Sequence, residues 1–216
     1  MIAIIDYGMG NLQSIRNAFE VLGAEVFVTN DPNDLERATA IILPGVGAFR
    51  DGMRNLREKG FIPILQEQII EQKKPYLGIC LGMQFLAKRS HEHGLYEGLG
   101  WIDGEVTLIK PEKGGYKVPH VGWNEVQFKR KCSLFNDLGE KETFYFVHSY
   151  SLVPTIDEQN IVLGTTWHGT EIVASIQKGN IFGVQFHPEK SQGAGLKILE
   201  NFLQLVRQQG QDQDKK

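Results

Sequence analysis

The chain is poor in cysteine, with two in 216 residues, Cys80 and Cys132. That rules out a disulfide framework and reads as free thiols in a cytoplasmic setting. It has no apolar run near the ~18 residues that span a bilayer, and it opens on a short strand rather than a signal sequence. No Lys/Arg-rich segment stands out, and 23 basic against 26 acidic residues leave a formal charge of −3. Such a balance gives nucleic acid no electrostatic footprint; the cluster Lys129-Arg130-Lys131 reads as a solvated loop. Metal-ligand spacing is also missing, because His91 and His93 stand in S-H-E-H-G without a third ligand nearby. What is present is ordinary apolar content in a chain long enough to bury one sizeable core. It reads as one domain over 1–207 and an unstructured polar tail over 208–216.

The first half alternates short apolar runs with helical patterns. Strands are predicted at Ile2–Ile5, Glu25–Val28, Ala40–Leu43 and Pro75–Ile79, and a helix places Leu12, Ile15, Phe19 and Leu22 on one face. Repeated β-α units predict an α/β fold with an open, mostly parallel sheet flanked by helices. Beyond about residue 100 short strands with hairpin turns at His168-Gly169 and Lys178-Gly179-Asn180 predict a smaller antiparallel layer, closed by a helix over Gly195–Arg207.

The chemistry centres on K-K-P-Y-L-G-I-C-L-G-M-Q, Lys73 to Gln84. A buried strand runs into a helical pattern with Cys80 on the turn, and Gly78 and Gly82 permit a tight bend around it. This is the pattern of a nucleophile elbow bearing a thiol, whose following helix favours the thiolate. The alternative is a buried cysteine serving as a small hydrophobe.

Two further segments fall on the same rim, since loops at the carboxyl ends of parallel strands converge. Pro44-Gly45-Val46-Gly47 supplies pliable peptides whose N–H groups, with that of Leu81, suit an oxyanion hole; a plain strand-to-helix turn is the alternative. The G-M-G-N turn after the first strand lacks the rest of a dinucleotide fingerprint. His187-Pro188-Glu189 ends the last strand, and extended backbone before proline predicts that both side chains point to one side. Imidazole and carboxylate are the base and orienter that a cysteine nucleophile needs. No step of this chemistry calls for a cofactor.

Together, G-I-C-L-G-M-Q, P-G-V-G and H-P-E resemble the class I, or triad, glutamine amidotransferases. Within them, D-Y-G-M-G-N, P-G-V-G-A-F, P-H-V-G-W-N, F-V-H-S-Y and G-V-Q-F-H-P-E-K-S are similar to the glutaminase subunits of imidazole glycerol phosphate synthase, from about Ile2 to Leu205. Most other triad amidotransferases resemble P-G-G at the second loop, so P-G-V-G discriminates. The resemblance implies a flavodoxin-like fold and hydrolysis of L-glutamine to glutamate and ammonia. Cys80 would form a γ-glutamyl thioester, with His187 and Glu189 completing the triad. Val46, Gly47 and Leu81 would form the oxyanion hole, after a reorientation of the P-G-V-G strand.

By the same resemblance, Gly47, Gln84, Ser149 and Tyr150 would hold the substrate. The helical spacing independently puts Gln84 on the face of Cys80. Asn11, Trp123, Tyr145 and Lys190 match family positions that contact a (β/α)8 cyclase subunit. That heterodimer makes imidazole glycerol phosphate and aminoimidazole carboxamide ribotide in histidine biosynthesis. Trp123 in a polar stretch suits an interface anchor or a half-buried strand aromatic. His120 and His148 read as structural hydrogen bonders and Cys132 as incidental. A glutaminase serving another synthase, and a non-catalytic subunit on the same fold, are the competing readings.

Overall fold

A computed structural model describes residues 1–112 and 114–213. In chain order the elements are β1 (Ile2–Ile5), α1 (Leu12–Val21), β2 (Val26–Thr29), β3 (Ala40–Gly45), α2 (Phe49–Glu58), α3 (Phe61–Leu65), β4 (Tyr76–Cys80) and α4 (Leu81–Gln84). They continue with β5 (Ala87–Ser90), β6 (Tyr96–Glu97), β7 (Ile102–Leu108), β8 (His120–Phe128), β9 (Lys141–His148) and β10 (Tyr150–Pro154). The last are β11 (Val162–Trp167), β12 (Glu171–Lys178), β13 (Ile181–Val184) and α5 (Gln192–Gln213).

Nine strands form one sheet in the order β2-β1-β3-β4-β13-β12-β11-β8-β9. The first five are parallel and the rest antiparallel. The strands at its centre are apolar throughout because both faces are covered. Ile2 and Ile4 of β1 pack with Ile15 and Phe19 of α1 and Phe202 of α5. Ala3 and Ile5, pointing the other way, pack with Met53 of α2 and Phe61 of α3. Each such aliphatic or aromatic side chain contributes about 1.5–3 kcal/mol by leaving water. A smaller sheet, β10-β7-β5-β6, is antiparallel except where β5 runs parallel to β7, and it covers the second face through Ile102, Val106 and Leu152.

The predicted strands form with shifts of one or two residues, and the two hairpins join β11 to β12 and β12 to β13. Three features differ from expectation. The helix after Cys80 is a single turn, because the carbonyls of Phe85, Leu86 and Ala87 accept N–H groups from Leu99, Ile102 and Gly100 instead of continuing it. Tertiary pairing overrides the helix propensity of this stretch, so no long helix directs its dipole at the thiol. Tyr150–Pro154, unassigned by pattern, pairs with β7. The polar tail, expected to be unstructured from Gln208, is helical to Gln213, carried on from the packed part of α5; 214–216 lie outside the described residues.

Candidate active site

Cys80 closes β4 with φ 53° and ψ −107°, a left-handed conformation that non-glycine residues adopt at a cost of about 1–3 kcal/mol. Two glycines make it possible. A Cβ on Gly82 would strike the Leu43 carbonyl of β3, and one on Gly78 would meet the Gly82 backbone at 2.6–2.7 Å. Gly45 pairs with Cys80 across β3 and β4, and a side chain there would hit the buried Tyr7 hydroxyl. The sulfur is therefore held on a bend with no room for substitution around it.

β13 lies beside β4, with Val184 opposite Ile79, and this register brings the residues that follow to the elbow. His187 is pinned by its N–H to the Tyr145 carbonyl at 2.9 Å and by its carbonyl, which accepts from Ser191 Oγ at 2.6 Å. Its Nδ1 bonds Glu189 Oε1 at 2.8 Å, both side chains being 1–2 % exposed. The pairing predicted from the sequence is present, but its backbone differs. Glu189 reaches back from a 3₁₀ turn over Pro188–Lys190, not from extended chain, since proline opens the turn directly after His187.

Burial disfavours the imidazolium of His187. Hydrogen bonding to Cys80 and Glu189, and their negative charges, outweigh it and raise the ring to about 9. Nε2 is buried without a hydrogen-bond partner. Burial also drives the Tyr7 phenol far above its ordinary value, with the charge of Cys80 adding to it.

A cavity of about 450 Å³ opens onto this group, lined by Val46, Gly47, Cys80, Leu81, Gln84 and, across from them, Ser149, Tyr150 and Lys190. All four predicted substrate contacts and all three predicted oxyanion residues thus share one pocket. Gly47 takes φ +98°, a region open to glycine, with the Met9 methyl beneath it. Gln84, expected on the face of Cys80, is buried there and donates to the Tyr150 carbonyl at 2.9 Å. A larger hollow of about 620 Å³ beneath 127–140 contains none of these groups.

Glu92 belongs to the site as well, although no motif singles it out. Its carboxylate lines the pocket and accepts the Phe49 N–H at 2.6 Å, at the start of α2. The only signal in the sequence is its place between two histidines that draw attention to themselves. Those histidines part company: His91 bonds Glu105 at 2.7 Å and His93 stands edge-on to Tyr150. Cys132 accepts the Leu134 N–H and donates to Gln177, capping a short turn, so it is structural.

Trp123 and Tyr145 are register partners on β8 and β9, their rings edge-to-face at 6.0 Å, and Lys190 Nζ stands 5.8 Å from the Tyr145 ring centroid. Trp123 remains 49 % exposed, with Val121 and Val147 also open to solvent. Asn11 is separate, at the N-terminus of α1. That helix packs on the 188–190 turn, so all four lie on the side of the molecule carrying the site.

The family model for glutamine amidotransferase class-I matches residues 3–206. The chain is 52 % identical over 209 residues to the imidazole glycerol phosphate synthase subunit HisH of Moorella thermoacetica, covering 97 % of each chain. It is 50 % identical over 205 residues to the subunit HisH 1 of Campylobacter jejuni strain RM1221, covering 95 % of this chain and all of that one. Among solved structures, PurLQS from Thermotoga maritima aligns with a TM-score of 0.74 at 22 % identity, covering 95 % and 98 % of the two chains. The glutaminase domain of Trypanosoma brucei CTPS gives 0.65 at 16 %, covering 94 % and 93 %; at such identities these two speak for the fold. A cysteine elbow, a buried His–Glu pair and a pliable glycine loop thus occur in a chain that belongs to the class I glutamine amidotransferases, and within them to the HisH proteins.

Proposed function

We propose that the chain is the glutaminase subunit of an imidazole glycerol phosphate synthase, hydrolysing L-glutamine and passing the ammonia to a (β/α)8 cyclase partner in histidine biosynthesis. The observation that supports the chemistry is the buried His187–Glu189 pair coupled to Cys80, the thiol that lines the pocket.

The thiolate of Cys80 attacks the side-chain amide carbon of glutamine, and the C–S bond forms as the carbonyl π electrons move onto oxygen. The N–H groups of Leu81 and of the Val46–Gly47 segment stabilise that oxyanion. Protonated His187 gives its proton to the departing nitrogen, releasing ammonia and leaving a γ-glutamyl thioester. Water, deprotonated by the same ring, then attacks the thioester carbonyl and breaks the C–S bond, releasing glutamate and restoring the thiolate and the protonated ring. Glu189 fixes the ring orientation and stabilises the imidazolium through both half-reactions.

Specificity follows from the far wall of the pocket. Glu92 offers a carboxylate to the α-ammonium of the substrate, while Gln84 and backbone at Gly47 and Ser149-Tyr150 bracket its amino-acid end. Around the mouth, Trp123, Tyr145, Lys190 and Asn11 form the surface for the barrel partner, where an exposed tryptophan is a suitable anchor.

The deciding experiment is glutamine-dependent cyclisation with the cyclase partner, comparing wild type with Cys80→Ala. The expected result is loss of glutamine use with free ammonia still accepted by the partner. Retained glutamine use by Cys80→Ala would end the proposal.

A further inference from the structure

Gln185, in G-V-Q-F-H-P-E-K-S but assigned no role by that pattern, is fully buried between the strand end and the thiol. Its Nε2 donates to Cys80 Sγ at 3.6 Å, within reach for a sulfur acceptor. An amide can face either way, so what fixes its polarity matters. Its Oε1 accepts from Gln84 Nε2 at 3.1 Å, which turns the N–H side toward the sulfur. Gln84 is fixed in turn, because the same Nε2 also donates to the Tyr150 carbonyl.

The Tyr150 carbonyl has a second donor. His148 Nδ1 lies 2.8 Å from it, so this nitrogen carries the proton and Nε2 accepts. His120 Nδ1, 3.0 Å from that Nε2, must then donate, and His120 Nε2 accepts from Asn124 Nδ2 at 3.0 Å. Asn124 is oriented by the Glu125 N–H on its Oδ1 and by its own donation to the Trp167 carbonyl. Both histidines are 2–6 % exposed, and burial, assisted in His120 by its histidine neighbours, holds them neutral at about 3 and 4. The two donor series converge on the Tyr150 carbonyl, which accepts from His148 on one side and from Gln84 on the other.

We propose that Gln185 is a thiol-orienting donor whose polarity is set by Gln84, itself fixed as a donor by the Tyr150 carbonyl, an oxygen that the series Asn124–His120–His148 holds in place from its other side. Gln185 touches the reacting atom; His148, His120 and Asn124 act through others and are positioning residues. The donor stabilises the thiolate and keeps a lone pair of sulfur in one direction. The inference rests on Cys80 being the nucleophile, but its readout does not require turnover.

The groups facing the sulfur are Tyr7 from the turn after β1, His187 with Glu189 after β13, and Glu92 and Lys190 in the pocket wall; His148 on β9 acts on His187. None of these is changed when Gln185 is replaced. The test is therefore the pH dependence of Cys80 alkylation by iodoacetamide in the full chain, followed by mass spectrometry on the Cys80 peptide so that Cys132 does not contribute.

Gln185→Met, similar in size but without a donor, should raise the midpoint by about one pH unit, a roughly tenfold loss of rate below it. Gln185→Glu should raise it further, since a carboxylate then faces the sulfur. His148→Leu should shift it in the same direction by less, and His148→Asn, which keeps an N–H for the Tyr150 carbonyl, should restore the wild-type profile. Superimposable profiles for wild type and Gln185→Met would overturn the proposal. Equal shifts in His148→Leu and His148→Asn would overturn the positioning role of His148. A normal profile shift alongside a wild type that fails to hydrolyse glutamine with its partner would instead count against the proposed function alone. Thermal midpoints of each variant separate misfolding from a changed thiol.

Discussion

The two halves of the nine-stranded sheet treat histidine in opposite ways. At the end of the parallel half, His187 sits between a thiol and a carboxylate and is raised to about 9 despite burial. In the antiparallel half, His120 and His148 face each other, a carbonyl and an amide, and burial holds them at about 3 and 4. Their depth is similar, so the partner decides the protonation state. A carboxylate makes a ring that gives and takes protons; a second imidazole makes one that only transmits orientation.

The largest expected effect breaks the parallel side. Glu189→Gln removes the charge that supports the imidazolium and should lower glutaminase kcat by about 10²–10⁴-fold with the partner present, measured by glutamate release. Ammonia-dependent cyclisation should be untouched.

Next comes the rigidity of the two halves. Gly82→Ala drives a methyl into the Leu43 carbonyl and should cost about 2–3 kcal/mol in urea unfolding. Gly164→Ala on β11 meets Ser175 Oγ and Val126 Cγ1 at 3.0 Å and the Gln127 carbonyl at 3.3 Å, a milder clash that shifts of a few tenths of an ångström relieve, and should cost about 1 kcal/mol. Equal costs would remove this contrast.

The titration contrast is sharper still in its sign. His148, neutral in the fold, binds its proton only in the unfolded chain between pH 6.5 and about 4. Its contribution is therefore present above pH 6.5 and lost as the pH falls. His187 runs the other way, its contribution complete below pH 6.5 and lost as the pH rises through about 9. Between pH 7.5 and pH 5, wild type should lose about 1–2 kcal/mol more than His148→Asn in urea unfolding. The smallest expected effect is that of Trp123→Ala on the isolated chain, within about 0.5 kcal/mol because the ring is half exposed. The same substitution should lower glutaminase activity with the partner.

These regions also differ in how well they could be read from residues alone. The parallel half was legible because its strands are apolar on both faces and its chemistry sits in three short motifs at strand ends. Leu12–Val21, Ala40–Gly45 and Tyr76–Cys80 all form close to where the pattern puts them. What failed was decided by contacts distant in sequence. Phe85 to Ala87 would continue a helix by local preference, but N–H groups from 99–102 claim their carbonyls. Glu92 is a pocket residue only because β5 turns it there, and no motif spacing records that. The orientation of Gln185, just past β13, likewise depends on Gln84, 101 residues away in the chain.

The single helical turn after the elbow has one more consequence, for length. Since β5 begins almost directly after Gln84, one short run of chain places both the sulfur and the Glu92 carboxylate. One residue inserted or deleted between them would turn every side chain of β5 to its opposite face and swing the acid out of the cavity. Lys88 and Arg89, exposed and paired with Asp103 and Glu105, are the members most open to exchange, since such surface ion pairs contribute little. The stretch from 84 to 92 is thus constrained in its count of residues as well as in the identity of its buried members, Gln84 to Ala87 and Ser90.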